Sequence, residues 1–414
     1  MSILDEARAL VGELTALRHR LHRHPEVGLD LPRTQQAVLE ALEPLQLEVT
    51  TGTSCSSVTA VLRGGAAVTG PKPGEGRDRR GEGGAPRRPV VLLRADMDAL
   101  PVTEDADVEY RSRVDGVMHA CGHDLHTAML VGAARLLTAR RDQLAADVVL
   151  MFQPGEEGYD GAGHMIADGV LHAAGRLPDA AYALHVLSNQ SPRGTVTSRA
   201  GAMMAASDAL RVSVHGRGGH AASPHLAADP IPAACEMVLA LQTALSRSVD
   251  AFAPAVLTVG TFHAGTKRNI IPEVASFEAT VRTVDPATSA LIAEVARRTC
   301  EGIAAAHGVR VEVDHQSEYP VTVNDADAVD RAMSVAAELF GAKACVRMPQ
   351  PIAGSEDFSR ILAQVPGAMV FLGAMVDGAA PGRAPGNHSP QARFDDRVLP
   401  DGAALLAELA LRSA

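Results

Sequence analysis

The sequence predicts an α/β protein: a mixed, mostly parallel sheet with helices, interrupted by a smaller inserted domain of ferredoxin-like α+β order. Three observations predict it. Short apolar runs alternate with helical patterns up to residue 198 and again after residue 316, the signature of a largely parallel sheet covered by helices. Between them the elements read β-α-β-β-α-β, the order of a ferredoxin-like sandwich. The chain has 414 residues, 46% of them hydrophobic, which is enough for two or three cores. The expected division is 1–198 and 316–414 for the larger domain and 199–315 for the insertion.

The elements follow in order. Residues 3–22 have helical spacing and end before His24-Pro25, and residues 32–42 form a second helix opened by Pro32. Residues 64–88 are rich in Gly, Pro and Arg; such a segment cannot bury apolar surface and reads as a flexible surface insertion. Strands are expected at 90–93, 148–152, 180–184 and 368–372, with helices at 125–137 and 402–411. In the insertion the strands are 209–214, 255–262, 274–284 and 309–313, and the helices are 232–245 and 288–307.

Composition excludes some classes. A formal net charge of −11 argues against a nucleic-acid binder, which needs a basic face. The five cysteines are scattered and odd in number, so they do not read as a disulfide framework and point to a reducing, cytoplasmic setting. The first residues read as an amphipathic helix rather than a leader, and no charge-free apolar run reaches spanning length, so no membrane partner is expected.

The densest polar cluster is Met118-His119-Ala120-Cys121-Gly122-His123-Asp124-Leu125-His126, at a loop-to-helix junction. Cys121 and His123, two apart, could face one point in an extended turn. Asp124 could cap the helix or orient His123 through its second ring nitrogen. Thiol and imidazole are borderline-soft donors that suit Zn, Mn, Co or Ni. A second cluster, Gln153-Pro154-Gly155-Glu156-Glu157-Gly158, follows the 148–152 strand directly, where open α/β sheets bind ligands. Adjacent side chains there point apart, so one glutamate can bind metal while the other serves as base toward a water. A Glu-Glu pair alone is a weak signal. His185, after the 180–184 strand, and His388, in the turn-rich Gly386-Asn387-His388-Ser389-Pro390, are each as readily structural as ligating. In the insertion, Gly216-Arg217-Gly218-Gly219-His220 lacks the features of a phosphate loop. His220 on that turn could reach a neighbouring active site, and Asn269 at a strand end could bond a substrate.

Together these motifs resemble the dinuclear metallo-aminoacylase and carboxypeptidase family, in its branch of hippurate hydrolases, N-acyl-amino acid amidohydrolases and indole-acetyl-amino acid hydrolases. The resemblance covers nearly the whole chain. It runs from Arg18-His19-Arg20-Leu21-His22-Arg23-His24-Pro25-Glu26 through Arg94-Ala95-Asp96-Met97-Asp98-Ala99-Leu100-Pro101 and the two clusters above to Gly354-Ser355-Glu356-Asp357-Phe358 and Asn387-His388-Ser389. It implies a phosphorylase/hydrolase-like catalytic domain with a lid that also dimerises. It implies two divalent cations per subunit, held by Cys121, His123, Glu157, His185 and His388, with Glu156 as general base. His220 and Asn269 would be lid groups that polarise the scissile carbonyl or hold substrate, with His220 entering the partner subunit's site in a homodimer. Asn269 and Arg282 would receive the substrate's carboxylate. The chain departs from the family pattern in its long 64–88 segment and in Glu278-Ala279-Thr280-Val281-Arg282, where Gly-Thr-Val-Arg is common; neither touches an expected ligand. The expected reaction is hydrolysis of a small N-acyl amino acid to a carboxylic acid and a free amino acid. The alternatives are a dipeptidase or carboxypeptidase of the same chemistry and a binding protein that kept the fold and lost catalysis, against which the intact Glu156 and ligand set speak.

Overall fold

The computed structural model describes residues 1–67 and 87–413. Most of the Gly/Pro/Arg segment 64–88 therefore lies outside the described residues. The chain forms two compact units: one of Met1–Gly201, Val323–Pro349 and Arg360–Ala414, the other of Ala202–Thr322 with Gln350–Ser359.

The larger unit is built on an eight-stranded sheet. Its strands, labelled in chain order within this unit, are β1 (Glu48–Thr51), β2 (Val58–Leu62), β3 (Val90–Asp96), β4 (Asp147–Gln153), β5 (Ala180–Leu187), β6 (Val196–Ser198), β7 (Cys345–Arg347) and β8 (Gly367–Gly373). They lie in the order β1-β2-β4-β3-β5-β8-β6-β7. The central β4-β3-β5-β8 run is parallel, while β1-β2, β2-β4 and β8-β6 are antiparallel. The sheet is mixed and mostly parallel, as the alternation of elements predicts. Strands β2, β3 and β8 are buried along their whole length, which explains their unbroken apolar runs.

The His123–Ala139 helix is almost wholly buried. It packs against the C-terminal Leu399–Leu411 helix so closely that a Cβ on Gly132 would come within 2.8 Å of Ala403 Cβ. This contact fixes the helix whose first residue carries His123. The N-terminal helical stretch, read as one helix over 3–22, is two, Ile3–Ala9 and Val11–Arg23. The break falls at Leu10, whose N–H turns back to the Ala7 carbonyl.

The C-terminal helix carries one charge with a consequence for stability. Burial pushes the Asp401 carboxyl up to about 6, although Arg8 and Arg193 pull it down. Between its ordinary value of 3.8 and about 6, the folded chain holds a proton that the unfolded chain has lost. Stability therefore falls as pH rises through this window, by at most about 3 kcal/mol. Asp401→Asn should unfold at a higher temperature than the parent above pH 7 and at nearly the same temperature near pH 4. An equal difference at both pH values would show that Asp401 does not govern the effect.

The smaller unit has a four-stranded antiparallel sheet in the order Ala255–Ala264, Val274–Thr283, Ser207–His215, Arg310–Tyr319. In chain order its strands lie second, third, first and fourth, as in a ferredoxin-like sandwich. Strand Ser207–His215 alternates buried and half-buried residues. Its Leu210, Val212 and Val214 face a core shared with the helices Pro230–Ser248 and Pro286–His307. Each helix begins with an aspartate cap and Pro, Asp229-Pro230 and Asp285-Pro286, a standard helix start.

Candidate functional site

Strands β3, β4 and β5 end on one side of the larger sheet, with buried polar residues at or near their ends: Asp96, Gln153 and His185. The apolar patterns predict strands ending at residues 93, 152 and 184, but the strands run on to Asp96, Gln153 and Leu187. Arg94 bonds Gln153 on the neighbouring strand at 2.9 Å and forms a buried ion pair with Asp96. His185 therefore lies within β5 rather than beyond it, 9% exposed.

Cys121 and His123 reach the same point because Gly122 between them adopts a left-handed backbone, φ 88°. A side chain there would also strike Val186, with Cβ 2.5 Å from its Cγ2. Asp124 neither caps the helix nor orients His123, as the sequence suggested it could. The cap is Gly122, without a side-chain bond. Asp124 turns away to the buried Arg18 and His22, each at 2.8 Å. The second nitrogen of His123 instead donates to a backbone carbonyl, from Nδ1 to Asp98 O at 2.9 Å.

The Glu156–Glu157 turn is held by one carboxylate. The backbone N–H groups of Glu156 and Glu157 donate to the two oxygens of Asp98, both at 3.0 Å. Asp98 thus secures the turn and, through its carbonyl, His123. Asp98 is a site residue that the sequence motifs did not single out. The available signal was its place two residues after Asp96, where an apolar strand turns polar.

The proposed ligand side chains converge within this unit. Cys121 Sγ lies 3.4 Å from His185 Nε2 and 3.2 Å from His388 Nε2. His388 Nε2 lies 3.0 Å from Glu157 Oε1, and His123 Nε2 lies 4.0 Å from the same oxygen. The donor atoms of Cys121, His123 and His185 lie within 4.8 Å of one another, as do those of Cys121, Glu157 and His388, and those of His123, Glu156 and Glu157. His388 reaches in from a backbone with φ 69°, anchored by its N–H to Ala120 O at 2.9 Å. Its neighbour Asn387 donates to the carbonyls of Cys121 and Val186 at 3.1 and 3.0 Å.

These residues fit a divalent cation. His123 and His185 each donate Nδ1–H to a backbone carbonyl, Asp98 O and Val186 O, which leaves both Nε2 atoms as lone-pair donors toward the cluster. Among the described residues, the fully buried His123 Nε2 has no hydrogen-bond partner, a costly state unless a cation takes its lone pair. The charges agree. Burial would raise the Cys121 thiol, yet His185 and His123 hold it well below the usual thiol range. Burial would lower His123 and His185, yet Asp96 and Cys121 raise the first, and Cys121 and Asp96 the second. His388 is pushed up to about 10 by its bonds to Cys121 and Glu157. A place that draws protons onto three imidazoles against burial also stabilises a cation.

The remaining predicted residues belong to the smaller unit. His220 pairs with Ile270 in the two-stranded ribbon of Gly219–His220 and Ile270–Ile271, and the Asn269 carbonyl accepts from Ala221 N–H at 3.2 Å. His220 and Asn269 are therefore neighbours, both exposed. Arg282 is not brought to them. It lies eight residues along its strand from Val274, roughly 26 Å, and donates to Ser355 Oγ at 2.9 Å.

Comparison with known proteins agrees with this geometry. The chain is 37% identical over 411 residues to thermostable carboxypeptidase 2 of Saccharolobus solfataricus, covering 99% of this chain and 97% of that one. It is 36% identical to the hippurate hydrolase of Campylobacter jejuni, covering 100% and 99%. Among solved structures, it is similar to a dinuclear metal-binding peptidase of the M20 family from Bacillus subtilis, with a TM-score of 0.79, 30% identity and 98% of each chain covered. Residues 92–412 match the model of Peptidase family M20/M25/M40. With a match of that extent and relatives similar along their whole length, the chain belongs to Peptidase family M20/M25/M40.

Proposed function

We propose that this protein hydrolyses the amide bond of small N-acyl amino acids, using two divalent cations drawn from Mn, Zn, Co or Ni. The reading is carried by one observation: a thiol, a glutamate and three imidazole Nε2 atoms converge beside a second glutamate in the same turn. Cys121, His123, Glu157, His185 and His388 would hold the cations. When bound, such cations act as Lewis acids and make water acidic near neutral pH. Glu156 removes a proton from the attacking water as its oxygen bonds the amide carbon. Glu156 then gives that proton to the nitrogen as the C–N bond breaks, releasing the carboxylic acid and the amino acid.

His220 is the donor to the amide oxygen. Its Nδ1 accepts the Ala222 N–H at 3.1 Å, so in the neutral ring the hydrogen resides on Nε2, the outward atom. Asn269, beside it, is offered to the substrate's carboxylate; Arg282, bonded to Ser355 away from this pair, is not. The protein is read as cytoplasmic, in keeping with five free cysteines; among the described residues no helix is long and apolar enough to cross a membrane. It is also read as a homodimer formed through the smaller unit, with His220 serving the partner's site.

His220→Ala should keep its metal and lose kcat by on the order of 10²–10³ with little change in KM, because the donor meets charge that develops in the transition state. Mixing it with Glu156→Gln under subunit exchange should restore up to half the activity of a parental dimer per mixed dimer. No recovery despite exchange would confine His220 to its own chain.

A second reading, carboxypeptidase or dipeptidase activity, is favoured by the similarity to a protein named for carboxypeptidase activity. Hippurate, N-acetyl amino acids and dipeptides offered to chelated protein with each metal added back separate the two. Hydrolysis of the N-acyl substrates only after metal addition is expected. Turnover of dipeptides alone would overturn the first reading.

A further inference from the structure

We infer that Asp96 and His126 are positioning residues that fix the ligand-bearing end of β5 by capping the backbone of Val186. The inference rests on the reading of His185 as a cation ligand. Strand β5 pairs with β3 only as far as Ala183, opposite Arg94, whereas its pairing with β8 continues to Leu187, opposite Gly373. Beyond Ala183 the strand pairs, among the described residues, with β8 alone. Parallel strands part in this way where a sheet opens a ligand crevice, and the parting leaves buried backbone groups to be satisfied by other means.

His126, from the adjacent helix, supplies the means. Its Nε2 accepts the Val186 N–H at 2.8 Å. A ring nitrogen that accepts carries no hydrogen, so the hydrogen is on Nδ1, which donates to Asp96 Oδ1 at 2.5 Å. Asp96 is fully buried and paired on its other side with Arg94. The ring is held in one tautomer from both ends, and neither nitrogen has a lone pair left for a cation. This separates His126 from its neighbours, although its ring centre lies 4.6 Å from that of His185 and 5.3 Å from that of His123. It also separates the Asp96, His123 and His126 group, whose donor atoms lie as close together as those of the ligand groups.

The Val186 carbonyl completes the link. It accepts from His185 Nδ1 at 2.8 Å and from Asn387 Nδ2 at 3.0 Å. One residue's backbone is thus held at its N–H by His126 and in turn orients His185 and the residue before His388. A shift of Val186 would turn one proposed ligand and loosen the loop of another.

The test is calorimetric titration of Mn²⁺ into the full chain after chelation, with thermal unfolding of the same metal-free samples. His126→Gln keeps an acceptor at the reach of Nε2. His126→Phe keeps the ring and loses the acceptor; His126→Asn is too short to reach Val186 and serves if the Phe variant does not fold. Loss of a partner that orients a ligand costs about 10–100-fold in metal affinity. The Phe or Asn variant should weaken binding by that factor at unchanged stoichiometry, and the Gln variant should recover most of it. Asp96→Asn, which can donate as well as accept, releases the tautomer and should also weaken binding. Parental affinity in a folded Phe or Asn variant overturns the inference. So does loss of a whole equivalent of metal that Gln does not restore, since that would make His126 a ligand. Failure of the parent chain to bind Mn²⁺ would sink the metal reading first and this inference with it.

Discussion

Glu156→Gln should lower kcat by at least 10²–10⁴, the usual contribution of a positioned base, while metal content stays at the parental level. The substitution keeps size and shape and removes the site that takes the proton. The turn keeps its anchor on Asp98, which the backbone N–H groups of residues 156 and 157 both bond. The adjacent glutamates divide the work by direction. Glu157 Oε1 sits 3.0 Å from His388 Nε2, within the thiol and imidazole cluster. Glu156, 7% exposed, has a carboxylate oxygen grouped with the donor atoms of His123 and Glu157. Metal analysis beside steady-state kinetics checks the assignment. Near-parental kcat in the fully metallated variant would remove Glu156 from the chemistry, and a fall in bound metal would make it a ligand instead.

What the sequence disclosed and what it hid follow from the same physics. The apolar middles of β3, β4, β5 and β8 are readable because strands buried on both faces need unbroken aliphatic runs. Their ends fall outside the apolar pattern because Arg94, Asp96, Gln153 and His185 interrupt it, although each is buried and paired at the site. The helix Ala326–Phe340, absent from the expected elements, carries a readable signal: an Asp325 cap, then apolar residues at 328, 329, 332, 333, 335 and 336. The strand Glu48–Thr51 had none, being exposed at every residue. The residue types at the site were legible as donors, and the family resemblance ordered them. Which nitrogen of each imidazole faces the cluster was not legible. That depends on the carbonyls of Asp98 and Val186, and the latter becomes available only where β5 outruns β3.

Cys121→Ala should cost the protein metal, and the loss should depend on the metal. Cys121 Sγ lies between His185 Nε2 at 3.4 Å and His388 Nε2 at 3.2 Å, so it borders two proposed ligands. Thiolate is the softest donor in the set, so its removal weakens zinc more than manganese, which prefers oxygen and nitrogen. Cys121→Ser, with an oxygen of similar reach, should keep more Mn²⁺ than Zn²⁺. The loss in the Ala variant should exceed the 10–100-fold typical of an outer partner, because a direct ligand is gone. The buried imidazoles of His185 and His123 also lose one of the anions that raise them, while Asp96 remains. The cation loses a ligand, while the Nδ1 bonds of His123 and His185 to backbone carbonyls keep their Nε2 atoms available. Residual binding should therefore be seen at raised metal concentration rather than be abolished. Dialysis against chelator followed by elemental analysis and titration with each metal decides it. Unchanged stoichiometry and affinity for Zn²⁺ in Cys121→Ala would take the thiol out of the ligand set and leave a site of imidazole and carboxylate alone.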